Sequence, residues 1–323
     1  MKTMKAVVVS TDTQSFQYAE LDTPAPSSQD ILVRVLASSI NPVDLMVRDQ
    51  REGQILGWDA VGEVVEVGDD VKGFQAGDRV FYAGDLNRPG SQAEFQAVDY
   101  RLVGHAPMSL SPEQSAGLPL TGLTAWEALF EQAQLKPGET VLIINGSGGV
   151  GSIAIQLARR AGATVIATAS RPETQEWVRK MGAHHVVNHH KDLVEQTKEF
   201  GPVQVIFCCH DTATNFDAMA EVIAPFGRIV SIVPTQSPLP MDRLFGKAAT
   251  FSWELMFTKS SQQTLNIASQ GRILNALTQM IDRGELQSTT QHTLPLSPSS
   301  LSEAHQMIAQ GKVHGKLTFK HTL

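Results

Sequence analysis

Along the first hundred residues the apolar positions come in short runs, several of them alternating with polar ones. Residues 6–9, 31–36, 62–67, 79–82 and 95–98 form such runs, and turn signals at Pro24-Ala25-Pro26, Gly68-Asp69-Asp70 and Gly77-Asp78 separate them. Strands this short and closely spaced predict a small barrel-like domain rather than βαβ units. The pattern changes at Ser111-Pro112-Glu113, where Ser111 suits an N-cap and Pro112 a first helical position, and helical spacing runs on to Gln134. Lys136-Pro137-Gly138-Glu139 then turns the chain into an alternating region. Strands are expected at 141–144, 164–168, 186–188, 203–209 and 228–233, with helices after the first strand and at 172–181, 193–200 and 215–223. This alternation predicts a doubly wound parallel sheet. Beyond Pro234 come a proline-containing loop, a long amphipathic helix at 260–283, a strand at 294–296, a helix at 300–310 and a last strand at 315–320. This tail is expected to leave the α/β domain and pack on the N-terminal one, with the active site in the cleft between the two.

The most informative stretch is V-L-I-I-N-G-S-G-G-V-G-S-I-A-I-Q-L-A-R-R-A-G, residues 141–162. Four apolar residues suit a buried parallel strand. Gly146, Gly148 and Gly151 follow with G-x-G-x-x-G spacing. Val150, Ile153, Ala154, Leu157, Ala158 and Ala161 then repeat at helical intervals, and Gly162 is placed to stop that helix. Glycines between a strand and a helix allow backbone N–H groups to approach a pyrophosphate at the helix N-terminus, so this context points to a dinucleotide. The next strand ends in Ala169-Ser170-Arg171, with no carboxylate to hold a ribose 2′-hydroxyl. Ser170 and Arg171 can both donate to a 2′-phosphate, which favours NADPH, although Arg171 also reads as the start of a solvated helix. One charged hydrogen bond of roughly 1.5–3 kcal/mol is enough to set a preference of about 10- to 100-fold.

Composition narrows the partners. At 323 residues the chain exceeds what one core usually supports, so two domains are expected. A net charge of −7 argues against nucleic acid or an anionic membrane as the main partner and leaves a small molecule. The N-terminal stretch has no signal-peptide pattern and no run approaches a membrane span, so a cytoplasmic location is expected. The 2 cysteines, Cys208 and Cys209, are adjacent in a buried-strand pattern. Neighbours on a strand face opposite ways, so they read as core rather than as a disulfide or a zinc site.

Several segments in order carry a resemblance: Asn41-Pro42-Val43-Asp44, G-W-D-A-V-G-E-V at 57–64, Gly77-Asp78-Arg79-Val80, L-T-G-L-T-A-W at 120–126 and the glycine loop at 146–151. A-T-A-S-R at 167–171, V-N-H-H at 187–190 and W-E-L-M-F-T at 253–258 add to it. Together these resemble the medium-chain dehydrogenase/reductase superfamily, its quinone oxidoreductase branch, and the subgroup often labelled "zinc-type alcohol dehydrogenase-like". The resemblance covers nearly the whole chain. It implies an α/β fold: a Rossmann doubly wound parallel sheet (residues 121–255) inserted into a β-rich, barrel-like GroES-like catalytic domain (residues 1–120 plus 256–323). It also implies a homodimer or homotetramer, for which the strand near 231–234 is a candidate edge.

The resemblance places Asn41, Asp44 and Thr121 near the nicotinamide end as catalytic candidates. Asn41 could donate to a developing oxyanion and Thr121 could hold the carboxamide or ribose; Asn before Pro is also a common turn, and Thr121 could cap a helix. The implied cofactor residues are Gly146, Ser147, Gly148, Gly149, Val150, Gly151, Ser170, Arg171, His189, His210, Val233 and Lys316. His210 should also lie at the carboxyl end of a parallel strand, where ligands bind. Thr174 stands where some relatives carry Lys, and His189 where related enzymes often carry Tyr. Tyr82 is a weaker proton-donor candidate. Trp58, Met256 and Phe257 suggest either an apolar pocket or core.

Zinc enzymes of the superfamily use a Cys and a His-Glu pair where this chain has the turn at 41–44 and Trp58-Asp59. An indole is no ligand, so no metal site is expected, and His184, His189 and His190 read as solvated. Without a Lewis acid a simple alcohol or carbonyl is hard to polarise. Hydride transfer from NADPH to quinones or α,β-unsaturated carbonyls is the expected chemistry. An NADPH-binding protein with little catalysis and a zinc-type alcohol dehydrogenase are the alternatives.

Overall fold

The computed structural model describes residues 2–11 and 15–323. The chain divides into two compact units, one made of Met1–Leu123 and Met256–Leu323, the other of Thr124–Leu255. Up to the division the elements are β1 (Thr3–Val9), β2 (Phe16–Asp22), β3 (Asp30–Ser39), α1 (Pro42–Arg48), β4 (Ala60–Val67), β5 (Arg79–Tyr82), β6 (Phe95–Asp99), β7 (Val103–His105), α2 (Pro112–Ala116) and α3 (Pro119–Trp126). The second unit continues with β8 (Thr140–Ile144), α4 (Gly149–Arg160), β9 (Thr164–Thr168), α5 (Pro172–Met181), β10 (His185–Val187), α6 (Leu193–Thr197), β11 (Val203–Cys208), α7 (Thr212–Val222), β12 (Ile223–Ser231), α8 (Asp242–Phe245) and β13 (Thr250–Trp253). The chain then returns to the first unit as α9 (Phe257–Ser261), α10 (Ser269–Asp282), β14 (Thr290–Pro295), α11 (Pro298–Ala309) and β15 (Lys316–Lys320).

In the first unit β1 and β2 form an antiparallel pair, and a seven-stranded sheet runs β14-β15-β3-β4-β5-β7 with β6 also on β3. Ile31, Val33 and Val35 alternate along β3 and pack with Ala60, Val64, Val80 and Val98, the period of two that a one-sided sheet requires. The C-terminal tail does join this sheet. β15 pairs antiparallel with β3, setting Thr318 opposite Ser39.

The second unit is a six-stranded, all-parallel sheet in the order β10-β9-β8-β11-β12-β13. Renumbered from β8, that is the 3-2-1-4-5-6 order of a dinucleotide-binding fold, with its switch point between β8 and β11. Val141, Leu142, Ile143 and Ile144 are all buried, as a strand covered on both faces demands. Cys208 and Cys209 are buried and unpaired.

Several local expectations need correction. The helix expected at 260–283 is two: α9 ends where Gln263 takes a left-handed φ of 47°, and α10 starts only at Ser269. The helical stretch from 112 to 134 is broken ahead of Pro119, and Glu127–Gln132 winds as a π-helix. Helix α1 and strands β2, β7 and β13 were not anticipated. Because β13 pairs with β12, setting Ser231 opposite Trp253, the free edge on that side is β13, and residues 232–234 lie beyond the end of β12. No helix among the described residues is long and apolar enough to cross a membrane.

Candidate active site

The glycine loop is built by contact rather than by unusual dihedrals. Gly146, Gly148 and Gly151 all keep ordinary φ values, and the left-handed residue of the turn is Asn145, at φ 61°. Asn tolerates that region better than other side chains, which is the signal that could have identified it. The Asn145 N–H donates to Thr168 Oγ1 at 2.9 Å and the Gly146 N–H to the Thr168 carbonyl at 3.1 Å, tying the loop to the end of β9. A Cβ on Gly151 would stand 2.3 Å from the Asn145 carbonyl oxygen and 2.7 Å from Gly146 Cα. On Gly146 it would meet Ala167 Cβ at 2.8 Å. Helix α4 thus approaches the strand end as closely as backbone allows. Ser147, Gly148, Gly149 and Val150 remain half-buried around the opening of α4, while Gly146 and Gly151 are buried. An open backbone at a helix N-terminus, in a cradle that a side chain would fill, fits a diphosphate.

Because the sheet is parallel, the segments after β8, β9, β10, β11 and β12 share one edge. The glycine loop, Ser170, Arg171, His189, His210 and Val233 therefore lie along the same side. Arg171 caps α5; its N–H donates to Thr174 Oγ1 at 3.2 Å, and that hydroxyl donates back to the Arg171 carbonyl at 2.9 Å. Thr174 is thus a buried capping residue. The half-exposed Arg171 side chain gives Nε to Glu173 Oε1 at 2.7 Å and leaves its terminal amino groups without a partner among the described residues. Burial first, and then the positive charges of His190, His210 and Arg171, hold the His189 imidazole below its usual value. The His189 and His190 rings lie 4.4 Å apart. Of these residues Arg171 supplies a permanent positive charge, and each imidazole has a ring N–H that can be given to a phosphate.

The catalytic candidates belong to the first unit, in a buried polar cluster that the sequence did not foretell. Asp59, one residue before β4, is its centre. Its Oδ2 accepts from Ser39 Oγ at 2.6 Å, Asn41 Nδ2 at 2.8 Å and Lys316 Nζ at 3.2 Å, and its Oδ1 from the Leu120 N–H at 2.7 Å, at the start of α3. Lys316 Nζ also donates to the Ile40 carbonyl at 2.9 Å and Asn41 Oδ1 at 2.7 Å. Three acceptors engage all three hydrogens of the ammonium, so Lys316, expected at the cofactor, has none to spare for one. Asp44 clamps the start of α1. Its Oδ2 accepts from the Asn41 N–H at 2.7 Å and its Oδ1 from the Gly57 N–H at 2.9 Å. Complete burial nevertheless pushes the Asp44 carboxyl up to about 7, against the pull of those donors and of Lys316. Thr121 Oγ1 donates back along its helix to the Gly117 carbonyl at 3.0 Å, which leaves the hydroxyl only as an acceptor.

Trp58 is buried, gives Nε1 to the Asp85 carbonyl at 3.1 Å and stands edge-on to Phe257 with ring centroids 6.5 Å apart. The Tyr82 hydroxyl is buried without a hydrogen-bond partner, and burial drives its acidity far below that of an ordinary phenol. The donor set does not fit zinc. Of the two buried carboxylates here, Asp59 is already bonded to an ammonium and Asp44 to two backbone N–H groups; the neighbouring positions hold an amide and an indole. Among the described residues no group of three or more His, Cys, Asp or Glu side chains is arranged to hold a metal.

Comparison with known proteins fits this architecture. Residues 27–126 match the profile of the alcohol dehydrogenase GroES-like domain, and residues 149–269 that of the zinc-binding dehydrogenases. A zinc-type alcohol dehydrogenase-like protein of Staphylococcus aureus strain COL is 43% identical over 94% of both chains. The solved structure of a candidate zinc-dependent alcohol dehydrogenase from Rhizobium etli CFN 42 superposes with a TM-score of 0.95 at 41% identity, covering 99% of this chain and 98% of that one. The quinone oxidoreductase from Coxiella burnetii gives 0.83 at 28% identity, covering 99% of each. The fold and these matches define an oxidoreductase. The chain belongs to the medium-chain dehydrogenase/reductase superfamily, among its zinc-type alcohol dehydrogenase-like members.

Proposed function

We propose that this oxidoreductase is zinc-independent and uses NADPH to reduce quinones or α,β-unsaturated carbonyls. The observation that carries the reading is the buried Asn41–Asp59–Lys316 cluster, whose donors are matched to one another and poorly suited to a metal. A site that polarises its acceptor with amide donors alone needs an acceptor already activated by conjugation. Quinones and enones are of that kind, and one of the matched structures is a quinone oxidoreductase.

When bound, NADPH supplies the hydride. The glycine loop and the start of α4 would receive its diphosphate, and Arg171 with His189, His190 and His210 its 2′-phosphate. Asn41 would give its second Nδ2 hydrogen to the oxygen on which negative charge develops. Thr121, as an acceptor, would take a carboxamide or ribose hydrogen. The chain's contribution is binding, orientation and charge stabilisation.

The test is NADPH oxidation by purified protein, with a chelator present, against benzoquinone, naphthoquinone, an enal, an enone and a simple aldehyde. Turnover of a quinone or enone that persists in the chelator is expected. Stoichiometric zinc together with activity lost to the chelator would overturn zinc independence. Tight NADPH binding without turnover of any acceptor would overturn the substrate class.

A further inference from the structure

The Lys316 ammonium is almost wholly buried, and its partner Asp59 lies 257 positions earlier in the chain. A buried charge of this kind costs stability unless it is paired and its hydrogens are used, and here both conditions are met. The geometry does more than neutralise a carboxylate. Lys316 donates to Asn41 Oδ1 while Asp59 accepts from Asn41 Nδ2, so the two charges hold opposite ends of one carboxamide. The amide cannot flip without setting Nδ2 against an ammonium and Oδ1 against a carboxylate. Its second Nδ2 hydrogen has no partner among the described residues. An amide whose oxygen accepts from a cation is polarised, and its N–H groups become better donors.

We propose that Lys316 is a positioning residue for the reaction: its ammonium fixes the orientation of the Asn41 carboxamide and strengthens the one N–H left for a substrate oxygen. The proposal rests on the oxidoreductase reading above for its consequence, and on the cluster alone for its geometry. A lysine engaged in this way does not contact the cofactor. Its loss should lower kcat and spare NADPH affinity.

The experiment compares wild type with Lys316→Met and with Lys316→Met/Asp59→Asn, which removes both charges. Three quantities are measured: Tm, the NADPH Kd, and kcat with the best acceptor. The Asn41 side-chain amide is followed by NMR in protein labelled at asparagine. Lys316→Met should lower Tm by about 5–10 °C, as expected for an abandoned buried charge. It should also cut kcat by about 10- to 100-fold, the scale of a misplaced oxyanion donor, with Kd for NADPH within about twofold. The double variant should be more stable than the single while its kcat stays low. If the single variant fails to fold, the double variant is read alone. Wild-type kcat in either variant, a tenfold weaker NADPH Kd with kcat retained, or an unmoved Asn41 amide signal would overturn the inference. If the wild-type protein turns over no acceptor, the proposed function falls, and the amide spectrum still decides whether Lys316 orders Asn41.

Discussion

Replacing Gly151 by Ala puts the packing of α4 to a direct test. The added Cβ would stand 2.3 Å from the Asn145 carbonyl oxygen, 2.7 Å from Gly146 Cα and 2.9 Å from the Gly146 carbonyl carbon. A relaxed carbon–oxygen contact is about 3.3 Å, so something must move by roughly 1 Å. All three obstacles are backbone, and no rotamer change relieves them. The cost belongs at the upper end of overpacking, about 3 kcal/mol, which for a chain of 323 residues lowers Tm by roughly 4–5 °C. Moving the start of α4 away from the loop also weakens diphosphate binding by about one or two charged hydrogen bonds, a loss of 10-fold or more in NADPH affinity. Gly148→Ala is the internal contrast. Its nearest obstacle is the Asn145 side-chain Nδ2 at 2.8 Å, which can rotate away. That variant should keep its Tm within about 2 °C and lose affinity because the new methyl stands at the half-buried mouth of the cradle. Thermal unfolding and NADPH titration of the two proteins check the reasoning. A Gly151→Ala protein with wild-type Tm would refute it.

Ala169→Asp combined with Arg171→Ala should shift preference from NADPH toward NADH, read as the ratio of the two Kd values; unchanged NADPH affinity would mean the 2′-phosphate lies elsewhere. Asp44 gives a pH prediction. Its carboxyl is raised from 3.8 to about 7 in the native state, so the unfolded chain ionises first as pH rises. Its stabilising contribution is full below pH 4, falls between pH 4 and 7, and amounts to about 4 kcal/mol over that window. The Tm advantage of wild type over Asp44→Asn should therefore shrink from pH 4 to 7, and a constant difference would contradict it. His305 and His321, which burial depresses to about 4 and about 3, act in the opposite sense: they stabilise above pH 6.5 and lose that contribution as pH falls. Pairing of two copies along the free edge of β13 should make the protein a homodimer, and Trp253→Lys, at a residue 46% exposed on that strand, should yield monomer by light scattering.

What could be read from the chain, and what could not, divides along physical lines. Alternating β8–α4–β9–α5 periodicity is local, and the parallel order follows once each crossover is right-handed. The glycine spacing was equally local, but the reason for the glycines was not: it depends on how near α4 comes to Asn145. Helix α1 was obscured because Asn41-Pro42 reads as a turn, although Asn at N-cap, Pro at N1 and Asp at N3 are also helix-start signals. Strands β7 (V-G-H) and β13 (T-F-S-W) have no run of adjacent apolar residues, unlike the equally short β10 (H-V-V) and β5 (R-V-F-Y), so nothing marked them. The pairing of Lys316 with Asp59 left no mark in either neighbourhood. The antiparallel registries of β15 and of β4 on β3 bring them together, which is how a lysine expected at the cofactor comes to sit beside Asn41.

The registry of β15 bears on the order in which the protein can be made. Ser39, Asn41 and Asp59 leave the ribosome early, whereas the strand carrying their cation is translated after the whole dinucleotide-binding unit. At usual elongation rates the 257 intervening positions correspond to roughly 13–50 s of synthesis. Throughout that interval Asp59 has the donors Ser39, Asn41 and the Leu120 N–H but no ammonium to sit against, and burying its charge without a counter-charge is unfavourable. The N-terminal segment is therefore left with an uncompensated carboxylate while the inserted unit is synthesised. Closure of the polar cluster becomes one of the last events in the maturation of the chain, so a truncated product lacking β15 would be left with an unfinished core and exposed to proteolysis.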